Sequence, residues 1–319
     1  MTATPSPTPH VTSTTSDATA RARIPGGRAL VFGGGGSTGN AWLIGVIAGL
    51  SEAGLDVTTA DLTIGTSAGA TTAAQLVGAT PSELLTAILA EAPQQRSNPA
   101  GSARGRPPIR PTADHLERLR AIIAAADDPA DLRRRVGAAA LAMDPASADS
   151  WGTQWRSIVA ARLPRRRWPR RAVLITAVDA QTGAPVVFDR HSGVDLADAV
   201  AASTAGGGFA YPIGVHRYID GGYRSNAENA DLAAGYERVL VLSPLGGRTL
   251  TPVAWGLDLA TQVDELRAGG SRVETIVPDS TSEHLFGANA MDASLRPPAA
   301  RAGYDHGRAL AGQLAEFWH

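Results

Sequence analysis

The sequence predicts an α/β fold of three layers, α/β/α, built around a mostly parallel central sheet. Short apolar runs that are typical of buried strands alternate along the chain with longer segments that have the period of a helix. Strands that are apolar throughout are typical of parallel sheets whose two faces are both covered by helices. The chain contains no internal repeat, so this alternation of strand and helix sets the predicted architecture.

The first half of the chain predicts a tail followed by two units of strand, loop and helix. Residues 1–27 are rich in Thr, Ser, Pro and Ala and lack the apolar core of a secretory signal, so we predict a disordered tail. The elements that follow are a strand at 28–32, a helix at 40–53, a strand at 62–64, an Ala-rich helix ending near Leu76, a helix at 81–90, a mobile loop at 93–111, a helix at 113–142 with a break at Pro129, and a helix at 151–163.

The second half predicts further strands that complete the sheet, and a closing helix. We expect residues 28–319 to form a single domain. Its remaining elements are a strand at 171–178, a turn at 179–183, a return strand at 185–188, a helix at 195–202, a short strand at 215–219, strands at 238–242 and 271–277, and a helix at 303–318.

The composition excludes several classes of function. A net charge of −1 gives no basic excess of the kind that nucleic-acid binding usually requires. The chain has no cysteine, which excludes disulfides, thiolate metal sites and a thiol nucleophile. No span is apolar enough to cross a bilayer, and no metal-ligand spacing is present. We therefore expect a cytoplasmic protein without a metal or cofactor.

A glycine-rich loop follows the first predicted strand, and Gly34, Gly36 and Gly39 fit the dinucleotide pattern G-x-G-x-x-G. A dinucleotide site also needs an acidic residue at the carboxyl end of the next strand, to hold a ribose. The two candidates, Asp56 and Asp61, both come before that strand. A dinucleotide-binding oxidoreductase is therefore an alternative without its confirming residue.

The second predicted strand runs instead into Gly65-Thr66-Ser67-Ala68-Gly69, which has the G-x-S-x-G pattern of a nucleophile elbow. Small residues on either side allow the backbone to turn sharply and expose the serine hydroxyl, although an ordinary tight turn has the same pattern. Neighbouring parallel strands end at the same edge of a sheet, which would bring the glycine loop beside Ser67. We therefore predict that the backbone N–H groups of Gly34, Gly35 and Gly36 form an oxyanion hole.

A nucleophilic serine needs a base, and the histidines do not offer an obvious one. His284 and His306 come late enough in the chain to fit the order of an α/β-hydrolase, but neither lies in a clear loop at the end of a strand with an acidic residue before it. Asp220 stands out because it ends a short predicted strand and precedes Gly221 and Gly222, which would allow its carboxylate to approach another backbone. By itself this D-G-G sequence is also typical of a hairpin turn. The histidines that could serve as the base are His115, His191, His216, His284 and His306, with His10 in the tail and His319 at the terminus.

Three motifs in this order resemble the patatin-like phospholipase family, whose pattern is G-G-G-x-[RK]-G, then G-x-S-x-G, then D-G-[GA]. They stand here at residues 34–39, 65–69 and 220–222. The similarity runs from about Arg28 to Asp231, and the segment from Val239 to Trp318 is more weakly similar to bacterial members. The resemblance implies the patatin-like fold.

The resemblance also implies a chemistry. Ser67 is then the nucleophile of a serine acyl hydrolase, and Asp220 is its base in a Ser-Asp dyad that uses no histidine. Such a dyad favours acyl esters over peptides, since an alcohol leaves more easily than an amine. The expected substrate is a lipid or another small acyl ester. The motif glycines that support these residues are Gly39, Gly65, Gly69, Gly221 and Gly222.

Four positions depart from the family pattern or extend it. Thr38 stands where members often carry Arg or Lys, so a cation that could help to bind a lipid phosphate is missing from the loop. Gly33 replaces a frequent Asp, and residues 201–212 contain three glycines where members often have a Pro-rich segment. Asn226 follows the D-G-G motif, where it either orients the loop of Asp220 or serves as a plain turn residue.

The sequence leaves further alternatives for the function. An acyltransferase would use the same dyad, and a catalytically dead homologue would only bind lipid or a partner protein. The basic cluster at residues 165–171, which includes Trp168, allows a transient contact with anionic lipid headgroups, although a solvated loop is the favoured interpretation.

Overall fold

The computed structural model describes residues 24–91, 113–143, 148–206 and 208–319. The expected tail up to residue 23 and the expected loop at 93–111 lie outside the described residues. The first strand begins at Ile24, four residues before the start that we expected for the domain, and Ile24 donates its N–H to the carbonyl oxygen of Gly235.

Eight strands of the described residues form one sheet in the order β5-β6-β3-β2-β1-β7-β8, with β4 paired to β3. The five strands β3, β2, β1, β7 and β8 run parallel, whereas β4, β5 and β6 are antiparallel to their neighbours. This arrangement confirms the mostly parallel sheet. The strands are β1 Ile24–Phe32, β2 Leu62–Gly65, β3 Ala172–Asp179, β4 Pro185–Phe188, β5 Tyr211–Ile213, β6 His216–Asp220, β7 Tyr236–Leu242 and β8 Arg272–Ile276.

Helices connect these strands and pack against the sheet. In the described residues they are α1 Gly36–Glu52, α2 Ala68–Leu76, α3 Pro81–Leu89, α4 Ala113–Ala125, α5 Pro129–Leu141, α6 Ala148–Ala161, α7 Leu196–Ser203, α8 Leu259–Ala268 and α9 Arg296–Trp318. None of them is both long and apolar enough to serve as a membrane span.

The two faces of the sheet carry separate cores, as a three-layer fold requires. Leu30 and Phe32 of β1 point into the larger core, where α1, α2, α7 and α9 pack. Ala29 and Val31 alternate with them and point to the other face, which is covered by α8 and the 3₁₀ turn Ala230–Ala233. The predicted α/β/α layering is therefore confirmed.

Glycines bring the first and last helices into close contact. A Cβ atom on Gly45 of α1 would collide with the carbonyl oxygen of Ala300, and one on Gly303 of α9 would collide with that of Trp42. Because the side chains are missing, the two backbones approach each other directly. This contact fixes α1, and the glycine-rich loop precedes α1 immediately.

The structure corrects some of the predicted boundaries. Helix α1 begins at Gly36 instead of residue 40, so the second half of the glycine loop is its first turn. Helix α9 begins at Arg296 instead of residue 303. Strand β5 and helix α8 were not predicted: β5 has only three residues, and half of the residues of α8, LATQVDELRA, are polar.

Candidate active site

Ser67 occupies a strained turn between β2 and α2. Its φ of 54° lies in the left-handed region, and Asn229 is the only other described non-glycine residue with a positive φ. The neighbouring glycines permit this turn. A Cβ on Gly65 would lie 2.7 Å from Cα of Ala70, and one on Gly69 would collide with the carbonyl oxygen of Phe32. The predicted elbow is therefore present, with the serine between the strand and the helix.

The hydroxyl of Ser67 donates a hydrogen bond to Asp220, with 2.7 Å between Oγ and Oδ2. Asp220 is the last residue of β6, and the two residues are 153 positions apart in sequence. The fold brings them together because β2 and β6 both pair with β3. The backbone N–H of Ser67 also donates to Oγ of Ser203 at 2.9 Å, which holds the elbow against the end of α7.

Asp220 lies on the floor of a cleft, surrounded by protein but still reached by solvent. Burial raises the pKa of its carboxyl group to about 6, although hydrogen bonds from the N–H of Gly222 and from Ser67 act to lower that pKa. Gly221 allows the turn after Asp220, since a Cβ there would collide with Thr176. A carboxylate with this pKa can both accept and return a proton near neutral pH.

The glycine-rich loop lies beside Ser67, with one correction to the predicted set of donors. The N–H of Gly34 donates to the carbonyl oxygen of Ala227 at 2.8 Å, so Gly34 has no free donor for an oxyanion. Gly35 and Gly36 line the cleft, and neither N–H donates to another described residue. Gly36 is the first residue of α1, where a helix leaves its N–H groups without intrahelical partners.

Close packing explains why this loop is made of glycine. A Cβ on Gly35 would lie 2.7 Å from Cβ of Pro244, and one on Gly36 would lie 2.7 Å from the carbonyl oxygen of Ala290. Gly39 also packs against Pro244, at 3.2 Å for its missing Cβ. Larger residues would push the loop away from the position that it takes beside the elbow.

A buried asparagine that was not predicted from the sequence joins the two halves of the site. Nδ2 of Asn229 lies 3.0 Å from Oγ1 of Thr66, the residue before Ser67. The same atom lies 3.0 Å from the carbonyl oxygen of Gly221, the residue after Asp220. Asn226 makes no hydrogen bond to residues 220–222: its Oδ1 accepts hydrogen bonds from the N–H groups of Glu228 and Asn229.

The side chain of Glu228 lies beside Gly33, the position at which the family often has Asp. A Cβ on Gly33 would lie 3.3 Å from Oε1 of Glu228, so the side chain of Glu228 fills the space beside the loop. Oε1 of Glu228 accepts a hydrogen bond from Oγ of Ser243 at 2.6 Å. Burial raises the pKa of this carboxyl group to about 7. A carboxyl group is thus present beside the glycine loop, although a different part of the chain supplies it.

Ser67 and Asp220 line a cleft of about 1890 Å³ whose walls are mostly apolar. Trp151 and Trp155 of α6 stack on each other, and Phe209 meets both rings edge to face at 5.9 and 6.0 Å. Met291 and Leu250 are exposed at the cleft lining. A space of this size and character suits a long apolar group such as an acyl chain.

No histidine of the described ranges is hydrogen-bonded to Ser67, whose side-chain partner is Asp220. Among these histidines only His115 lines the cleft, where burial lowers its pKa. His216 pairs with Asp179 at 3.3 Å. The same part of the chain holds no group of three His, Asp or Glu side chains placed to bind a metal ion.

The dinucleotide alternative lacks support at the sheet edge. Strand β2 ends in Gly65, and Asp61 lies at the opposite end of that strand, where its Oδ2 accepts the N–H of Arg28 at 2.8 Å. No carboxylate therefore follows β2 where a ribose would lie.

Comparison with known proteins gives one family and several remote structural likenesses, among them VipD and ExoU. The family model described as Patatin-like phospholipase matches residues 30–232, more than half of the chain. VipD from Legionella pneumophila is similar at 12% sequence identity and a TM-score of 0.39, covering 91% of this chain and 68% of that one. The type III effector protein ExoU is similar at 15% identity and a TM-score of 0.36, with 91% of this chain and 54% of ExoU covered. No curated protein sequence matches the chain.

Proposed function

Because the chain belongs to the patatin-like phospholipase family, we propose that it hydrolyses acyl esters of lipids with Ser67 as nucleophile and Asp220 as base. Family membership supports the substrate class. The observation that carries the assignment of residues is the 2.7 Å hydrogen bond from Oγ of Ser67 to Oδ2 of Asp220, at a strained turn inside an apolar cleft. We propose further that residues 28–319 act as a single hydrolase domain, since strands from both halves of the chain share one sheet.

In the first half of the reaction, Oγ of Ser67 attacks the carbonyl carbon of the ester while its proton passes to Oδ2 of Asp220. The carbonyl oxygen becomes an oxyanion. We propose that the N–H groups of Gly35 and Gly36 stabilise it, together with that of Ala68, the residue after the nucleophile. When the intermediate collapses, the bond to the alcohol oxygen breaks, and this oxygen takes the proton from Asp220. Ser67 is left acylated.

In the second half, Asp220 takes a proton from a water molecule whose oxygen attacks the acyl carbon. A second oxyanion forms in the same place and collapses to a carboxylic acid, while Oγ of Ser67 recovers its proton from Asp220. The raised pKa of Asp220, about 6, suits both duties: the group is ionised at neutral pH yet basic enough to hold the proton briefly.

Product analysis tests this proposal. The protein is incubated with a diacylglycerophospholipid or a p-nitrophenyl ester, with and without glycerol as an acceptor alcohol, and the products are measured by mass spectrometry. We expect free fatty acid as the main product and none from Ser67→Ala. Acylated glycerol as the sole product would identify an acyltransferase instead. An absence of both products, with no fluorophosphonate label on Ser67, would identify a protein that binds lipid without cleaving it.

A further inference from the structure

A cation does reach the glycine-rich loop, although position 38 of the loop is a threonine. Arg296, the first residue of α9, donates from Nη1 to the carbonyl oxygen of Ser37 at 3.0 Å and to Oδ1 of Asn40 at 3.3 Å. Its Nε lies 2.9 Å from Oε2 of Glu91. The guanidinium group therefore lies against the first turn of α1, directly after the proposed oxyanion donors.

A second guanidinium group lies on the same wall of the cleft. Arg162 follows α6, and its carbonyl oxygen accepts a hydrogen bond from Nε2 of Gln75 on α2 at 3.3 Å. Gln75 is eight residues after Ser67, which corresponds to about 12 Å along a helix. The side chain of Arg162 is exposed to the cleft, with its Cζ 6.0 Å from the ring centre of Trp155. Apart from this stacking, it has no hydrogen bond or ion pair with any described residue.

The charges of Arg162, Arg296 and Glu91, which lie together on one side of the cleft, do not balance. Burial lowers the pKa of Arg162 and the positive charge of Arg296 lowers it further, while Glu91 acts in the opposite direction. Glu91 is already hydrogen-bonded to Arg296. Among the described residues, the guanidinium groups of Arg162 and Arg296 therefore share the carboxylate of Glu91, and Arg162 is the one without an ion pair. A bound anion would relieve this imbalance.

We propose that Arg162, supported by Arg296, binds a phosphate group on the alcohol part of the ester substrate. A guanidinium group matches the oxygens of a phosphate with paired hydrogen bonds, and no described residue occupies the side-chain donors of Arg162. The cleft that holds both arginines also holds Ser67 and the apolar walls that suit acyl chains. This inference rests on the proposed function, because it names the substrate class of that same site. It places the phosphate contact outside the glycine loop.

The test compares two lipids with the same acyl chains, phosphatidate and diacylglycerol, presented in the same neutral detergent micelles. Arg162→Gln removes the charge, and Arg162→Lys keeps it. Arg308→Gln is the matched control, since Arg308 is an exposed arginine of α9 that faces Glu52 and does not line the cleft. Binding is measured separately by calorimetry on Ser67→Ala, with dihexanoyl phosphatidate, dihexanoylglycerol and inorganic phosphate as ligands.

We expect wild-type kcat/KM to be about tenfold higher for phosphatidate than for diacylglycerol, as one charge-assisted hydrogen-bonded contact would give. Arg162→Gln should remove this preference by raising KM for phosphatidate much more than it changes KM for diacylglycerol. Arg162→Lys should retain part of the preference, and Arg308→Gln all of it. In calorimetry, phosphatidate should bind more tightly than dihexanoylglycerol, and Arg162→Gln added to Ser67→Ala should abolish the difference.

Two results would overturn the inference: equal binding of the two short lipids, or a phosphatidate preference that survives in Arg162→Gln. Inorganic phosphate that binds as tightly as dihexanoyl phosphatidate would show a site for the free ion and would also overturn it. The proposed function fails differently, through an absence of hydrolysis of any ester by the wild-type protein. In that case the calorimetry still decides whether Arg162 binds the lipid phosphate.

Discussion

Asn229 donates a hydrogen bond from Nδ2 to Oγ1 of Thr66 over 3.0 Å, although the two residues are 163 positions apart. The same amide group reaches the carbonyl oxygen of Gly221. It therefore bridges the residue before Ser67 and the residue after Asp220. Since the Ser67–Asp220 hydrogen bond depends on the relative position of these two turns, we infer that Asn229 is a positioning residue for the proposed dyad.

Replacing Asn229 by aspartate is expected to lower kcat at least tenfold with little change in KM. The variant loses the amide donors and places carboxylate oxygens against the oxygens of Thr66 and Gly221. The loss of buried hydrogen bonds should also cost about 1–3 kcal/mol in the free energy of unfolding. The measurement is kcat per active site, counted by fluorophosphonate titration. Asn289→Asp, at an exposed asparagine, is the control, and an unchanged kcat per titrated site in Asn229→Asp would contradict a positioning role.

The pH dependence of kcat/KM should follow the ionisation of Asp220. The group acts as a base only when ionised, and its pKa is raised to about 6. Activity should therefore rise with pH through that value and be about tenfold below its plateau at pH 5. The measurement is kcat/KM for a soluble p-nitrophenyl ester between pH 4.5 and 8.

The variant Glu228→Gln distinguishes the titration of Asp220 from that of Glu228, the other carboxyl group near the site whose pKa is raised. The pKa of Glu228 is raised to about 7, but its side chain contacts Ser243 instead of Ser67. The inflection near pH 6 should stay in Glu228→Gln. If the inflection disappears in Glu228→Gln, the titrating group is Glu228, and our account of Asp220 as the base is contradicted.

Replacing each of two glycines of α9 by alanine should change the stability of the fold in opposite directions. A Cβ on Gly303 would collide with the carbonyl oxygen of Trp42, so Gly303→Ala should destabilise the fold by roughly 1–3 kcal/mol or more as α1 and α9 are pushed apart. Gly312 has open space around the same position, and Gly312→Ala should stabilise the helix by about 0.5–1 kcal/mol. Urea unfolding of both variants gives the measurement. Equal effects would show that the helices do not pack as closely as described.

The strands and the elbow could be predicted because their signals are local. Residues 62–64 form an apolar run bounded by turn residues, and the G-x-S-x-G pattern after them restricts how the chain can turn. The pairing of Ser67 with Asp220 was predicted through the family resemblance of the three ordered motifs, and their joint role in catalysis stays a prediction. By contrast, α8 lacks a continuous apolar run. Its local signals are Asp258, which accepts the N–H of Thr261 at the helix start, and the helical spacing of its buried residues Leu259, Val263 and Leu266.

The parts of the site that were missed depend on distant contacts. Nothing near Asn229 in sequence indicates that its amide reaches Thr66, and an asparagine in the left-handed region is equally typical of a plain turn. The occupied N–H of Gly34 has the same origin, since its acceptor, Ala227, is on a different loop. Arg296 likewise reaches the glycine loop from α9, 259 residues beyond Ser37. Such pairs follow from the assembled sheet and cannot be seen in a local pattern.

The most direct test of the central claim compares kcat/KM for a p-nitrophenyl ester in Asp220→Asn and in His115→Gln, the histidine that lines the cleft. Asp220→Asn should lose roughly a thousandfold, as expected for a removed general base, and should stay folded because a neutral amide is less costly to bury than a carboxylate. His115→Gln should remain close to the wild-type protein. Full activity in Asp220→Asn, together with its loss in His115→Gln, would contradict the proposed Ser67–Asp220 dyad.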